Sequence, residues 1–192
     1  MIILPIPNKK EKYSYADYLT WDEGERLELI DGDIFNMSPA PSRRHQQVLR
    51  ELSTAFSIFL REKECEVFFA PFDVRLLVDN KQDNDINNVV QPDLAIVCDQ
   101  EKLDDKGCNG SPDMIIEILS PASIKLDRWI KYQLYEEAKV KEYWLVDPVN
   151  ESVEIYLLID EQYKFQGVFT KGETISVHTL PDLKLDLDQV FM

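Results

Sequence analysis

The sequence predicts a mixed α/β (α+β) fold in which helices pack on a mixed β-sheet. Residues 44–63 and 123–138 repeat apolar side chains at intervals of three and four, the spacing of an amphipathic helix. Short apolar runs between these helices are typical of buried strands. A turn signal near the N-terminus and an alternating pair of segments at 152–170 indicate two hairpins. Because 192 residues suffice for one well-buried core, we expect a single domain, 1–192, with its core at about 44–146.

The N-terminal part is predicted to contain an irregular arm, a hairpin and a long helix. Residues 1–12 form the arm. Residues 26–30 alternate in strand fashion, Asp31-Gly32-Asp33 supplies the hairpin turn, and 34–37 is the returning strand. The helix at 44–63 presents one apolar face, made of Val48, Leu49, Leu52, Ala55, Phe56, Phe59 and Leu60.

The rest of the chain alternates strands and polar loops around a second helix. Strands are predicted at 67–69, 74–78, 92–97, 114–119 and 142–146. Polar loops are predicted at 79–88 and 99–111. The helix at 123–138 has an apolar face made of Leu126, Ile130, Leu134 and Ala138. Residues 152–192 form a C-terminal β extension that begins with a hairpin of strands 152–159 and 163–170.

Composition and charge limit the class of protein. The net charge is −15, and an acidic surface disfavours tight general DNA binding because phosphate contacts need Lys and Arg. No apolar run approaches the roughly 18 residues that a membrane span requires. The first seven residues are too short and too interrupted by Pro for the apolar part of a signal peptide. We therefore expect a soluble cytoplasmic protein with no membrane partner.

The cysteines Cys65, Cys98 and Cys108 are widely spaced and include no CxxC pair. This spacing supports neither a disulfide framework nor a structural zinc site. We expect free thiols in a reducing cytoplasm.

Two predicted strands carry a carboxylate among apolar residues. Asp93 lies near the start of one strand and Glu117 near the end of another. If these strands are neighbours, both carboxylates meet at one edge of the sheet, where they repel each other by roughly 4 kcal/mol. A hard divalent cation, Mg²⁺ or Mn²⁺, would relieve that repulsion, since Mg²⁺ uses one or two carboxylates together with waters and phosphate oxygens. The backbone carbonyl of Ile118 is a candidate for a further ligand.

Asp127 and Lys131 are four residues apart and project from the same side of the second helix. One interpretation is a surface ion pair of little energetic consequence. The other is a lysine that reaches over the metal site and stabilises the charge of a phosphoryl transition state. The sequence alone leaves both open.

Several motifs together resemble the Uma2 family, a group of restriction-endonuclease-like proteins assigned to the PD-(D/E)xK nuclease superfamily. These motifs are Glu28-Leu29-Ile30-Asp31-Gly32-Asp33, Met37-Ser38-Pro39, His45, Pro92-Asp93, Glu117-Ile118-Leu119-Ser120-Pro121, Asp127 with Lys131, Tyr135, and Glu142-Tyr143-Trp144-Leu145-Val146-Asp147-Pro148. The resemblance spans about residues 13–160. It implies a restriction-endonuclease-like core of a helix, a three-stranded meander, a second helix and a strand, which is the predicted order.

The resemblance also implies roles for individual residues. Asp93 and Glu117 would be metal ligands, and Glu28 would be an additional acid at the site. An exposed cross-strand position in the hairpin explains Glu28 equally well. The superfamily lysine usually follows the Glu by two residues, where this chain has Leu119. The resemblance suggests that Lys131 on the helix replaces it.

Other members of these motifs have simpler interpretations. His45 is expected in a capping or surface role rather than as a base, and Glu51 is a weaker candidate for approaching the metal. Tyr135 and Trp144 are expected in the core.

The predicted function is a Mg²⁺-dependent (or Mn²⁺-dependent) endonuclease that hydrolyses phosphodiester bonds of nucleic acid, with DNA as the expected substrate. The alternative is a catalytically inactive nuclease-like module for binding or assembly. Exposed aromatic residues in the last hairpin would suit a homodimer interface, although core packing explains them equally well; they are Tyr156, Tyr163, Phe165 and Phe169.

Overall fold

The structure, a computed structural model, describes residues 11–21, 27–37, 40–78 and 81–192. The predicted N-terminal arm at 1–12 therefore lies almost wholly outside the described residues. None of the helices in these ranges combines the length and the apolarity that crossing a membrane requires.

In its described residues, the first half of the chain contains two α-helices, one 3₁₀ helix and eight short strands. They are α1 (Tyr15–Tyr18), β1 (Leu27–Ile30), β2 (Asp33–Asn36), α2 (Arg43–Leu60), β3 (Glu66–Phe69), β4 (Val74–Arg75), β5 (Val89–Val90), β6 (Leu94–Val97), a 3₁₀ helix (Gln100–Lys102), β7 (Leu103–Asp104) and β8 (Gly107–Asn109). Ser42 caps α2, because its hydroxyl accepts a hydrogen bond from the backbone of His45. The apolar face predicted for this helix is confirmed, since its residues pack in the main core.

The second half contains the longer strands. They are β9 (Met114–Ile118), a π-helix (Leu126–Lys131) continuing into α3 (Tyr132–Glu137), β10 (Glu142–Asp147), β11 (Ser152–Ile159), β12 (Gln162–Thr170), β13 (Thr174–Ser176), β14 (Lys184–Asp186) and α4 (Leu187–Val190). The predicted helix at 123–138 is confirmed, with a π-helical first part.

The main sheet has six strands in the order β12-β11-β10-β9-β6-β3. The pair β9–β10 is parallel, and the other neighbours are antiparallel. The meander β3-β6-β9 and the hairpin β11–β12 confirm the predicted mixed sheet. A parallel neighbour for β9 requires a crossover, which the helical segment between β9 and β10 provides.

Two predictions about the fold are wrong. The predicted strand 74–78 was expected to belong, with 67–69, to the first strand region of the meander. Val74–Arg75 instead lie in a second sheet of order β2-β1-β5-β4-β8-β7. The segment 99–111 was expected to be a polar loop, yet it contributes β7 and β8 to that sheet. Strands of two or three residues are too short to show an alternating pattern in sequence.

Strand alternation divides the core between the two faces of the main sheet. Met114, Ile116 and Ile118 of β9 pack on the face covered by α2 and the C-terminal segment. Ile115 and Leu119 pack on the opposite face, with α3 and residues of the second sheet. Glu117 shares the parity of Ile115 and Leu119, so it points to the side of α3.

The prediction that all cysteines are free is wrong for two of them. Cys65 and Cys98 form a disulfide, whereas Cys108 is free and buried. Cys65 immediately precedes β3 and Cys98 immediately follows β6. The register pairs Glu66 with Val97, so the two cysteines face each other, with Cα atoms 3.8 Å apart. Their separation of 33 residues hides this cross-strand pairing in the sequence.

The last hairpin is only partly exposed. Tyr163 is buried and Phe169 packs against the core, whereas Phe165 and Val168 are exposed. Most of the aromatic residues considered for a dimer interface therefore have intramolecular contacts. The homodimer stays a prediction.

An ion pair joins the π-helix to β11. Arg128 donates two hydrogen bonds to Glu154, at 2.8 Å and 2.6 Å. Tyr156 donates a further one at 3.0 Å. The hydrogen bonds from Arg128 hold the pKa of Glu154 below its ordinary value. Bidentate geometry makes this pair stronger than an ordinary surface ion pair.

We predict that Glu154→Gln lowers the free energy of unfolding at pH 7 by about 1 kcal/mol. Because the pKa of Glu154 is lower in the folded protein than the ordinary 4.5, its contribution is complete above that value and is lost as the pH falls further. Urea unfolding at pH 7 and at pH 3 measures the difference. Glu161→Gln, which removes the carboxylate of the exposed pair with Lys139, is the control and should leave stability unchanged. Equal effects of both substitutions at pH 7 would contradict the prediction.

Candidate functional site

The pairing of β6 with β9 brings Asp93 and Glu117 together. Leu94 pairs with Ile116, so the residue before Leu94 faces the residue after Ile116. The backbone N–H of Asp93 lies 3.4 Å from Oε2 of Glu117, and that of Ile118 donates to Oδ2 of Asp93 at 2.8 Å. The sequence predicted that Asp93 and Glu117 would meet if their strands were neighbours. The two strands are neighbours in the main sheet.

Lys131 reaches β9 and the N-terminal hairpin. Its ammonium lies 2.9 Å from Oε1 of Glu117, 2.8 Å from Oε1 of Glu28 and 3.8 Å from Oδ1 of Asp127. Asp127 and Lys131 are both buried, so the interpretation as a surface ion pair is wrong. Both residues lie within the π-helix Leu126–Lys131, and π-helical stretches are frequent at functional sites.

Glu28 joins the cluster from β1. It is buried, with 1% of its surface exposed, so the interpretation as an exposed hairpin residue is wrong. Its Oε1 also accepts a hydrogen bond from the backbone of Gln91 at 2.9 Å. The hairpin is thereby tied to the residues that lead into β6.

Two residues of the site were not predicted to contact the acids. Tyr135 is a core residue as expected, but its hydroxyl also donates to Oε1 of Glu117 at 2.7 Å. His45 was expected in a capping or surface role, yet it is buried and its Nε2 lies 3.1 Å from Oδ2 of Asp93. The sequence feature that could have indicated the contact of Tyr135 with Glu117 is its position four residues after Lys131, on the same side of the helix. For His45, that feature is its place on the apolar face of α2, three residues before Val48, which predicts a buried side chain.

Apart from Tyr135, these side chains line a cavity of about 360 Å³. The charged or ionisable residues in its wall are Glu28, Arg44, His45, Asp93, Glu117, Asp127 and Lys131. Much of the remaining wall is apolar and includes Met37, Ala40, Pro41, Ile118, Leu119, Pro121, Ala122, Leu126, Pro148 and Val149.

Glu51, the weaker candidate for approaching the metal, is not part of this wall and pairs with Arg50. Trp144 is a core residue, as predicted, and its indole N–H donates to Glu142.

Burial and the charges of neighbouring groups shift the pKa values of Glu117, Asp127 and Lys131. Burial raises the pKa of Glu117 to about 8, although Lys131 opposes the shift. Burial likewise raises the pKa of Asp127 to about 6. Burial alone would lower the pKa of Lys131, but the surrounding carboxylates raise it well above its ordinary value. The ammonium therefore stays charged, and the cluster favours additional positive charge.

The donor chemistry of Asp93 and Glu117 fits a hard divalent cation. Within the described residues, no group of three or more His, Cys, Asp or Glu side chains is arranged to hold a metal. Mg²⁺, however, commonly binds one or two carboxylates and completes its shell with water and phosphate oxygens. Protein donors occupy Oδ2 of Asp93 and Oε1 of Glu117. In the described part of the chain, Oδ1 of Asp93 has no hydrogen-bond partner, and Oε2 of Glu117 has only the long contact at 3.4 Å.

Comparison with known proteins identifies relatives of the chain. The sequence model of the Uma2 family, described as "Putative restriction endonuclease", matches residues 15–188. The chain belongs to the Uma2 family. This confirms the resemblance that the motifs indicated.

The chain is also similar to two further proteins. The chain is 29% identical over 148 residues to the uncharacterized protein slr1290 of Synechocystis sp., an alignment that covers 76% of this chain and 74% of that protein. It is also similar to the crystal structure of a "putative nuclease belonging to DUF820" from Anabaena variabilis. That similarity has a TM-score of 0.73 at 19% identity and covers 93% of this chain and 97% of the other. It establishes the shared fold.

In this Uma2 protein the ammonium group comes from a helix. Leu119 lies two residues after Glu117, immediately beyond the end of β9, and is buried in the apolar core. Lys131 Nζ nevertheless lies within hydrogen-bonding distance of Glu117. The helical segment between β9 and β10 therefore places an ammonium group beside Glu117.

We predict that Lys131→Met destabilises the protein by roughly 3–5 kcal/mol at pH 7, because it leaves several buried carboxylates without their cation. Chemical denaturation of the metal-free protein measures the loss. The double variant Lys131→Met/Glu117→Gln should recover part of it, since one of the stranded charges is then removed.

The matched control for this prediction is Lys139→Met. It removes an ammonium from the exposed pair with Glu161 and should have little effect on stability. A loss for Lys131→Met no larger than that for the control would show that the buried cluster does not depend on its cation.

Proposed function

We propose that the protein is a divalent-metal-dependent endonuclease that hydrolyses phosphodiester bonds of DNA. The observation that carries this proposal is the placement of Asp93 and Glu117 opposite each other on neighbouring strands, with Lys131 at 2.9 Å from Glu117. Membership of a family described as "Putative restriction endonuclease" supports the same class of reaction.

Asp93 and Glu117 would hold the metal, and the backbone carbonyl of Ile118 is proposed as a further ligand. When bound, Mg²⁺ or Mn²⁺ supplies Lewis acidity towards the phosphate and makes water a nucleophile near neutral pH. The excess of carboxylates over ammonium groups in the cavity favours a cation at this place.

Lys131 is assigned the stabilisation of negative charge that develops on the phosphate. Its ammonium is fixed by Glu28 and Glu117, so little reorganisation is needed when that charge develops. Glu28 is assigned to the site through this contact, because its carboxylate orients the lysine and also accepts a hydrogen bond from Gln91.

The charge of the protein argues for local rather than extended contact with DNA. Most cations near the cavity or on the adjoining helix already have acidic partners. Arg44 pairs with Glu151, and Arg128 pairs with Glu154. Together with the net charge of −15, this predicts weak, strongly salt-dependent binding of DNA in the absence of metal.

We predict that the purified protein nicks or cleaves plasmid DNA when Mg²⁺ or Mn²⁺ is present. Asp93→Asn and Glu117→Gln should each abolish detectable Mn²⁺ binding in calorimetry, because each removes one of two anionic ligands. Lys131→Ala should retain binding but lose at least about 100-fold in cleavage rate, the typical effect of removing one stabilising group from a transition state.

Glu154→Gln is the matched control for these variants. Glu154 is also held by a cationic side chain and lies on the main sheet, but it is not part of the cavity wall. It should bind Mn²⁺ and cleave DNA as the wild type does. Metal binding without cleavage by the wild type would instead favour the inactive nuclease-like module, and absence of both would remove the proposed chemistry.

A further inference from the structure

His45 occupies a buried position that an apolar side chain would fill at lower cost. It lies on the face of α2 that also carries Val48, Leu52 and Phe56, all buried. Its side chain is only 9% exposed. A buried polar ring destabilises the fold unless its nitrogens are hydrogen-bonded. Packing against this core therefore does not account for a histidine at position 45.

Only one nitrogen of this ring has a partner in the described part of the chain. Nε2 lies 3.1 Å from Oδ2 of Asp93, whereas Nδ1 is buried without a hydrogen bond. An ionised carboxylate can only accept, so Nε2 carries the proton and donates. The unpaired Nδ1 therefore costs stability, and among the described residues the hydrogen bond of the ring is the one with Asp93.

The backbone fixes the direction of that contact. His45 is the third residue of α2, and its N–H donates to the capping hydroxyl of Ser42 at 3.1 Å. The N–H of Ile118 donates to the same Oδ2 of Asp93 at 2.8 Å. Two donors, one from α2 and one from β9, therefore converge on Oδ2 and leave Oδ1 without a hydrogen-bond partner among the described residues.

We propose that His45 is a positioning residue that holds the carboxylate of Asp93 in the orientation required to bind a divalent cation through Oδ1. The inference rests on the proposed metal site and extends it. Groups that hydrogen-bond to metal-binding carboxylates orient them, and their loss typically weakens metal affinity by about 10- to 100-fold. His45 acts through Asp93 and has no contact with the cation itself in this proposal.

Three variants of metal-free protein test the proposal by Mn²⁺ calorimetry and thermal unfolding. His45→Leu should have a melting temperature at or above that of the wild type, because it removes the unpaired Nδ1. Its Mn²⁺ affinity should nevertheless fall by about 10- to 100-fold. His45→Gln should restore affinity to near the wild-type value, because the amide N–H of glutamine takes the place of Nε2–H. His45→Asn, one methylene shorter, should not restore it.

The outcomes separate this proposal from the one on which it rests. If the wild type binds Mn²⁺ and His45→Leu binds it equally well, the role of His45 is overturned while the metal site stands. If His45→Leu unfolds at a clearly lower temperature and glutamine fails to rescue affinity, the histidine has a merely structural role. If the wild type and all variants fail to bind Mn²⁺, the metal site itself is overturned.

Discussion

The buried ammonium of Lys131 joins three distant parts of the chain. Glu28 reaches it from the N-terminal hairpin, Glu117 from the central strand of the main sheet, and Asp127 from its own helix. Each carboxylate would be costly to bury alone, and the lysine would be costly without them. The second sheet, the main sheet and the crossover helix therefore depend on one another at this point.

The same cluster explains why the fold keeps polar groups in an otherwise apolar interior. An apolar core of equal volume would often be as stable as buried ion pairs. Here the acids exceed the ammonium groups, burial raises the pKa of Glu117, and His45 keeps an unpaired nitrogen. Polar groups that an apolar core would not need are typical of functional sites.

The sequence predicts a helix or strand well where its apolar pattern extends over many residues. The helix at 44–63, the crossover helix and the longer strands of the main sheet follow from apolar spacing, and the acids stood out because they interrupt apolar strands. The sequence does not show which of the more distant segments pair with each other in a sheet. The second sheet is built from strands of two to four residues, and the bond between Cys65 and Cys98 depends on a register between strands.

The contacts of His45 and Tyr135 illustrate the same limit inside the site. Both residues lie at helical spacing on buried faces, so each fits a simple core role in the sequence. What distinguishes them is the residue opposite, which is fixed only when α2 and α3 pack on the two strands that carry the acids. Residues on opposite faces of the sheet, α2 on one side and the crossover helix on the other, thus converge at the strand ends. That convergence brings His45 of α2 to Asp93 and Lys131 of the crossover helix to Glu117.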